Sequence, residues 1–235
     1  MLSKINRILS TRDPVRLLLR FIGLIAGIRG TDYCDIERAI GHARTECGNR
    51  MREDGSRAFG HGVTVCLFGL ICLGIRDPAL IMAMILHDVV EDINGQTHLD
   101  IEREFGQNVA YFVRWLSKPH PKLFPTKESR NEFYYRTFMD APRSVLCGKL
   151  PDVLHNLLTL FACTEEKQKR IVGVARRVYL PLAKKHAILA DEIEAAILRV
   201  EEGWKKKSFW SRVSTCYRQL VRRISRIFVR TTAST

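Results

Sequence analysis

The 235-residue chain is 46% hydrophobic and 27% charged, enough apolar material for one sizeable core and too much for global disorder. Its net charge of +13 sits at the ends: residues 1–30 carry +5, residues 203–235 carry +9, and the span between them carries −1. That excludes a domain whose whole surface is built for nucleic acid, and no run of about twenty uncharged apolar residues supports a membrane span.

The apolar periodicity is helical nearly throughout, with no convincing strand alternation. The basic stretch before residue 30 predicts a docked or surface helix. Asp35 to Met51 reads as a helix with Ile36, Ala39, Ile40 and Ala43 on one face. The turn-rich REDGSRAFG at 52–60 breaks it, and an apolar run resumes from His61 to Leu73. Asp77 is a good N-cap and Pro78 suits a first helical position, while Asn94-Gly95 suits an end. Between them ALIMAMILHDVVEDI is apolar on almost all sides, which predicts a core helix. Thr97 with Asp100 has the form of a capping box heading a helix towards Trp115. Pro119, Pro121 and Pro125 make 117–127 a loop, and helices follow near 128–140, 143–162, 165–185 and 187–202. The expected fold is all-α: one helical domain over 31–202, a basic N-terminal extension over 1–30 and a basic amphipathic tail over 203–235.

In that tail Val213, Cys216, Tyr217, Leu220, Val221, Ile224, Ile227 and Phe228 recur at three- and four-residue steps among arginines. Such a helix suits an anionic membrane surface or a partner protein, with packing on the domain as an equal alternative. Nucleic acid ranks third, because no binding motif accompanies the charge. Seven cysteines without a CxxC pair fit reduced thiols in a cytoplasmic protein, with peripheral membrane contact through the basic ends as the variant reading.

The residues able to do chemistry lie where polar groups are least expected. HDVVED at 87–92 ends the core helix, with His87 and Glu91, and likewise Asp88 and Asp92, at i,i+4 spacing. Two adjacent stripes therefore project from one arc, although a helix end reaching solvent would also carry acids. KLPDVLHNLLTL at 149–160 places Asp152, His155 and Asn156 at i, i+3 and i+4 in another apolar helix, unless Asp152 is a simple cap after Pro151. His61 stands nine residues beyond Arg52, across a glycine-bearing turn; alone, it reads as structural. A metal site needs three or four such groups from separate segments, and two imidazoles with two carboxylates would make a mixed N/O set suited to Mn, Fe or Zn.

His61, HDVVED and KLPDVLHNLLTL in this order resemble the hydrolase domain of RelA/SpoT-type alarmone enzymes, within the HD superfamily. The similarity runs from about Ala39 to His186, with Arg52–Gly55, FGQNVAYFV at 105–113 and YLPLAKKH at 179–186 as supporting pieces. The resemblance implies a single HD-type all-α domain holding one divalent metal ion, usually Mn²⁺, through His61, His87, Asp88 and Asp152. It implies that Glu91 and Asp92 orient or deprotonate the attacking water, and that Arg52, Asn156, Thr159 and Lys169 line the nucleotide pocket. The implied reaction removes diphosphate from the 3′ position of ppGpp or pppGpp. Where the family usually has Lys or another non-acidic residue, this chain has Glu53, and RAFGHG, Pro151, Val153 and Cys47 also depart from the pattern. An acid at 53 pointing inwards would repel phosphate. The alternatives are another nucleotide such as ppApp, or a non-catalytic nucleotide-binding or membrane-recruited module.

Overall fold

The computed structural model describes residues 2–11, 13–28, 30–92 and 96–205, apart from the side chains of Leu2, Pro14 and Asp92. The expected helix stop at Asn94-Gly95 and the amphipathic tail beyond residue 205 lie outside the described residues.

Among the described residues the chain is helical, with one isolated antiparallel bridge between Met51 and Arg57. α1 (Leu2–Leu9) and α2 (Pro14–Ile25) come first, and Asp13 caps α2 by accepting from the Val15 N–H at 2.9 Å. Ile5, Ile8, Leu17, Phe21 and Ile25 are buried, with both helices packed on the later α4 (Ala58–Cys72), while Lys4, Arg7 and Arg16 face out. The basic extension is thus a docked element that shares the core.

α3 (Thr31–Cys47) buries the apolar face expected of it but begins and ends four residues early, because Gly48 takes a positive φ of 50°. After the turn and α4 comes α5 (Pro78–Asp92), whose Asp77 cap accepts from the Ala79 N–H at 2.9 Å. The Thr97–Asp100 capping box is present, yet Gly106 at φ 87° splits the single expected helix into α6 (His98–Phe105) and α7 (Gln107–Leu116). A proline-rich loop leads to α8 (Lys127–Thr137), and α9 (Arg143–Leu158) carries Pro151 in its interior. Asp152 is therefore a mid-helix residue, and the cap reading falls. α10 (Glu165–Val174) passes through a π-helical segment, Ala175–Tyr179, into α11 (Leu180–His186). Pro181 has no N–H to give a carbonyl four residues back, and the widened turn just ahead of it absorbs that defect. A final helix, α12, spans 190–205. No helix among the described residues is long and apolar enough to cross a membrane.

α5 lies at the centre, packed by α3, α4, α7 and α9. Glycines let its neighbours come close. A Cβ at Gly62 would sit 3.3 Å from the Ile85 carbonyl oxygen, and one at Gly148 would sit 2.9 Å from a Leu80 methyl. Backbone cannot swing aside as a methyl can, so Gly62 is the stricter contact, and it adjoins His61. Gly62→Val is expected to cost about 1–3 kcal/mol by overpacking. The corresponding drop in thermal midpoint, read by circular dichroism, is about 2–4 °C per kcal/mol for a chain of this size. An unchanged midpoint would show that α4 has room to move away from α5.

Candidate metal centre

Three helices deliver the candidate ligands. His61 stands in the first turn of α4, His87 and Asp88 in the last turns of α5, and Asp152 in the middle of α9. One ligand atom each from His61, His87 and Asp88 lies within 4.8 Å of the others. Asp152 joins them: its Oδ1 is 3.0 Å from His61 Nε2 and 3.9 Å from His87 Nε2. Asp88 Oδ1 is 3.1 Å from His87 Nε2, and its Oδ2 is 3.7 Å from His61 Nε2. His61, His87 and Asp88 therefore cluster, with Asp152 against both imidazoles. His61 and Asp152 are 1% and 5% exposed, whereas the Asp88 side chain keeps 24% of its surface open.

The second contact of each imidazole orients it. His87 Nδ1 lies 3.0 Å from the Met84 carbonyl, so Nδ1–H donates there and Nε2 keeps its lone pair for a cation. His61 Nδ1 lies 2.7 Å from His155 Nδ1. Burial, then the neighbouring His61 and Arg52, hold His155 well below the usual histidine range, which leaves it neutral and able to accept from His61. Two imidazole nitrogens and two carboxylates thus present unprotonated N and O donors, a set that fits a divalent cation of borderline hardness.

Both carboxylates stay ionised for identifiable reasons. Burial pushes Asp152 up, but Lys149, followed by His61 and His87, outweighs it and holds the carboxyl well below the ordinary range. Lys149 Nζ donates to Asp152 Oδ2 at 2.8 Å and lies over the rings of Tyr134 and Phe138. Burial also pushes Asp88 up, and the attraction of His87 and His61 leaves it lowered.

A cavity of about 410 Å³ covers these groups. Arg52 donates to Asn156 Oδ1 at 2.8 Å, and Asn156 Nδ2 donates to Asp152 Oδ1 at 2.6 Å, linking the turn, α9 and the centre. Glu91 lines the same cavity and accepts from the backbone N–H and the ammonium of Lys118. The Asp92 side chain lies outside the described residues. Thr159 is at the wall, its hydroxyl donating to the His155 carbonyl at 3.0 Å. Lys169 is not at the cavity: it pairs with Glu165 on the exposed side of α10, and Lys167 lines the wall in its place. Glu53 accepts from Lys167 at 2.6 Å and from the Cys163 thiol, and these bonds lower its carboxyl. Its charge is paired at the rim, which answers the repulsion foreseen for an acid there.

His155 and Lys149 lie in the KLPDVLHNLLTL motif but carry no role in the sequence-based site, and Ser117 and Lys118 lie outside it. Ser117 Oγ donates to the His87 carbonyl at 2.7 Å, so the end of α7 pins the end of α5. His155→Phe keeps the ring volume and removes the acceptor for His61. The dissociation constant for Mn²⁺, measured by titration, is expected to rise about 10–100-fold with little change in folding. Unchanged affinity would reduce the His61–His155 contact to packing.

A family model described as HD domain matches residues 39–189. A guanosine-3′,5′-bis(diphosphate) 3′-pyrophosphohydrolase from Aquifex aeolicus is 32% identical over 166 residues, 68% of this chain and 23% of that protein. A probable enzyme of the same name from Synechocystis is 35% identical over 159 residues, covering 66% and 20%. The bifunctional (p)ppGpp synthase/hydrolase SpoT of Escherichia coli is 33% identical over 150 residues, covering 62% and 21%. The chain thus spans about a fifth of the length of these relatives. Among solved structures, a metazoan SpoT ortholog described as hydrolysing ppGpp and acting in starvation responses superposes with a TM-score of 0.63. That match covers 70% of this chain and 94% of that one at 23% identity, and supports the all-α fold.

Proposed function

From the premise that this chain belongs to the HD-domain family, we propose that it is a metal-dependent hydrolase releasing diphosphate from the 3′ position of ppGpp or pppGpp. The observation that carries the reading is the meeting of His61, His87, Asp88 and Asp152 inside a cavity also lined by Arg52, Lys118 and Lys167. The named activity of the relatives from Aquifex aeolicus and Escherichia coli agrees with it.

In this reading the four residues hold one divalent cation, Mn²⁺. When bound, it supplies neutralising charge to the phosphoryl oxygens and makes water more acidic. The water oxygen bonds to the phosphorus nearest the ribose and the P–O3′ bond breaks. The proton lost by water ends on the 3′ oxygen, giving GDP or GTP and inorganic diphosphate. Glu91, fixed by its two bonds from Lys118, orients the water and takes its proton together with Asp92. A positioned base of this kind contributes about 10²–10⁴-fold. Arg52 and Asn156 hold the nucleoside, with Thr159 beside them. Lys167 replaces Lys169 as the cation of that wall. Phosphoryl transfer needs charge neutralisation and positioning more than covalent chemistry, and the wall sets Arg52, Lys118, Lys149 and Lys167 beside five acids that a bound divalent cation would help to offset.

The purified chain with Mn²⁺ is expected to convert ppGpp to GDP and diphosphate. Intact ppGpp after incubation with the metal-loaded protein would end the alarmone reading. Glu53 favours a second reading, because the family usually has a non-acidic residue there; faster turnover of ppApp than of ppGpp in the same assay would establish it.

A further inference from the structure

The cavity over the candidate ligands continues into a second one of about 470 Å³, the two sharing Glu91, Lys118, Lys149, Asp152, Asn156 and Lys167 as wall residues. This annex is a trough with α8 on one side and α10 with the π-helical segment on the other. Buried Lys149 and Tyr179 form part of its lining. Six cations line it, Lys118, Lys127, Arg130, Lys149, Lys167 and Arg170, against two acids, Glu91 and Asp152.

The acids do not neutralise the trough. Glu91 is taken by Lys118 and Asp152 by Lys149, and Lys167 is held by Glu53 at the rim. Lys127, Arg130 and Arg170 line the trough and make no ion pair among the described residues. The Arg130 Nε–H donates to the Pro119 carbonyl, which steadies the guanidinium while leaving its other N–H groups free to donate. Unpaired cations from two facing helices beside a partly buried floor form a receptor for a compact, multiply charged anion.

We propose that this annex binds a diphosphate group, namely the inorganic diphosphate formed in the reaction. The inference rests on the function proposed above. With the nucleoside on the Arg52–Asn156 side and the reacting phosphorus at the four ligands, the far phosphate of the 3′ arm extends along Lys118 towards Arg130 and Arg170. The annex therefore holds the part of the substrate that becomes the free product. Diphosphate is then a competitive inhibitor whose affinity depends on residues of α8 and α10 that touch none of the candidate ligands.

The test is calorimetric titration of metal-free protein with inorganic diphosphate, so that chelation of a cation plays no part. Wild type is expected to bind, with affinity falling as salt rises. Arg130→Ala/Arg170→Ala is expected to weaken binding about tenfold or more for each charge-assisted contact removed. Its thermal melt and its Mn²⁺ affinity should stay those of wild type. Absence of binding to metal-free wild type, or wild-type affinity in the double variant, overturns the proposal. GDP serves as the second arm: a double variant that loses GDP but not diphosphate would give the trough to the 5′ arm of the nucleotide, and also overturns it. A wild type that leaves ppGpp intact with Mn²⁺, yet loses diphosphate binding in the double variant, keeps the annex and removes the alarmone reading.

Discussion

Asp88→Ala is expected to lower Mn²⁺-dependent ppGpp hydrolysis by about a thousandfold or more, while the fold survives. The magnitude follows because a bound cation contributes several kcal/mol of charge stabilisation, and each 1.36 kcal/mol is tenfold in rate. The fold survives because Asp88 is the most exposed of the four candidate ligands and contacts other members of the set, so its loss strands no buried counter-charge. Diphosphate release and Mn²⁺ titration, with a thermal melt as control, read the three quantities separately. Activity within tenfold of wild type would remove Asp88 from the centre, and with it the arrangement proposed here.

Lys149→Met should act in the opposite way, on the fold first. Lys149 is 7% exposed and provides the nearest counter-charge to an Asp152 carboxylate that is 5% exposed. Removing one partner of a buried pair costs about 3–5 kcal/mol, because the remaining charge is left uncompensated. The metal-free variant should therefore melt on the order of 10 °C below wild type. Mn²⁺ should restore part of the loss by binding only the folded state and supplying positive charge.

The pH dependence has a definite sign. Asp152 is held below its unfolded value, so its contribution is complete above about pH 4–5 and fades as pH falls towards the folded pKa. Burial pushes Lys149 down, but Asp152 outweighs it and raises the ammonium, so that contribution is complete below about pH 10 and is lost only in stronger alkali. Metal-free wild type should thus be stabilised by the pair across the neutral range. In Lys149→Met the carboxyl has lost its strongest attraction and takes up a proton more readily, which relieves its uncompensated charge, so the stability gap to wild type should narrow as pH falls through the acid range. Urea unfolding at a series of pH values measures this; an equal loss at every pH would mean that the variant acts through packing alone.

How much of this was legible in the chain depends on the range of each interaction. His87, Asp88 and Asp152 were visible because a polar group in an otherwise apolar helix needs a reason to be there, and the order of motifs supplied His61. The supports were hidden because their partners are far away in sequence: His155 meets His61 across 94 positions, and Lys118 meets Glu91 across 27. Neither spacing has a local signature. Lys169 failed for a simpler reason, since two steps along a helix turn about 200°, placing it and Lys167 on opposite faces. Helices were readable from caps and periodicity, as at Asp77 and Thr97. The division at Gly106 was not, because a glycine within an apolar pattern does not announce the sign of its φ.

The docking of α1 and α2 changes where the folding unit begins. The family match starts at residue 39, yet α4, which holds His61, buries much of its outer side beneath Phe21, Ile25 and their neighbours. A fragment trimmed to the matched span would present that side to water, as an adhesive stripe on the rod that carries the first imidazole. For this chain, the minimal folding unit is therefore longer than the minimal recognisable one.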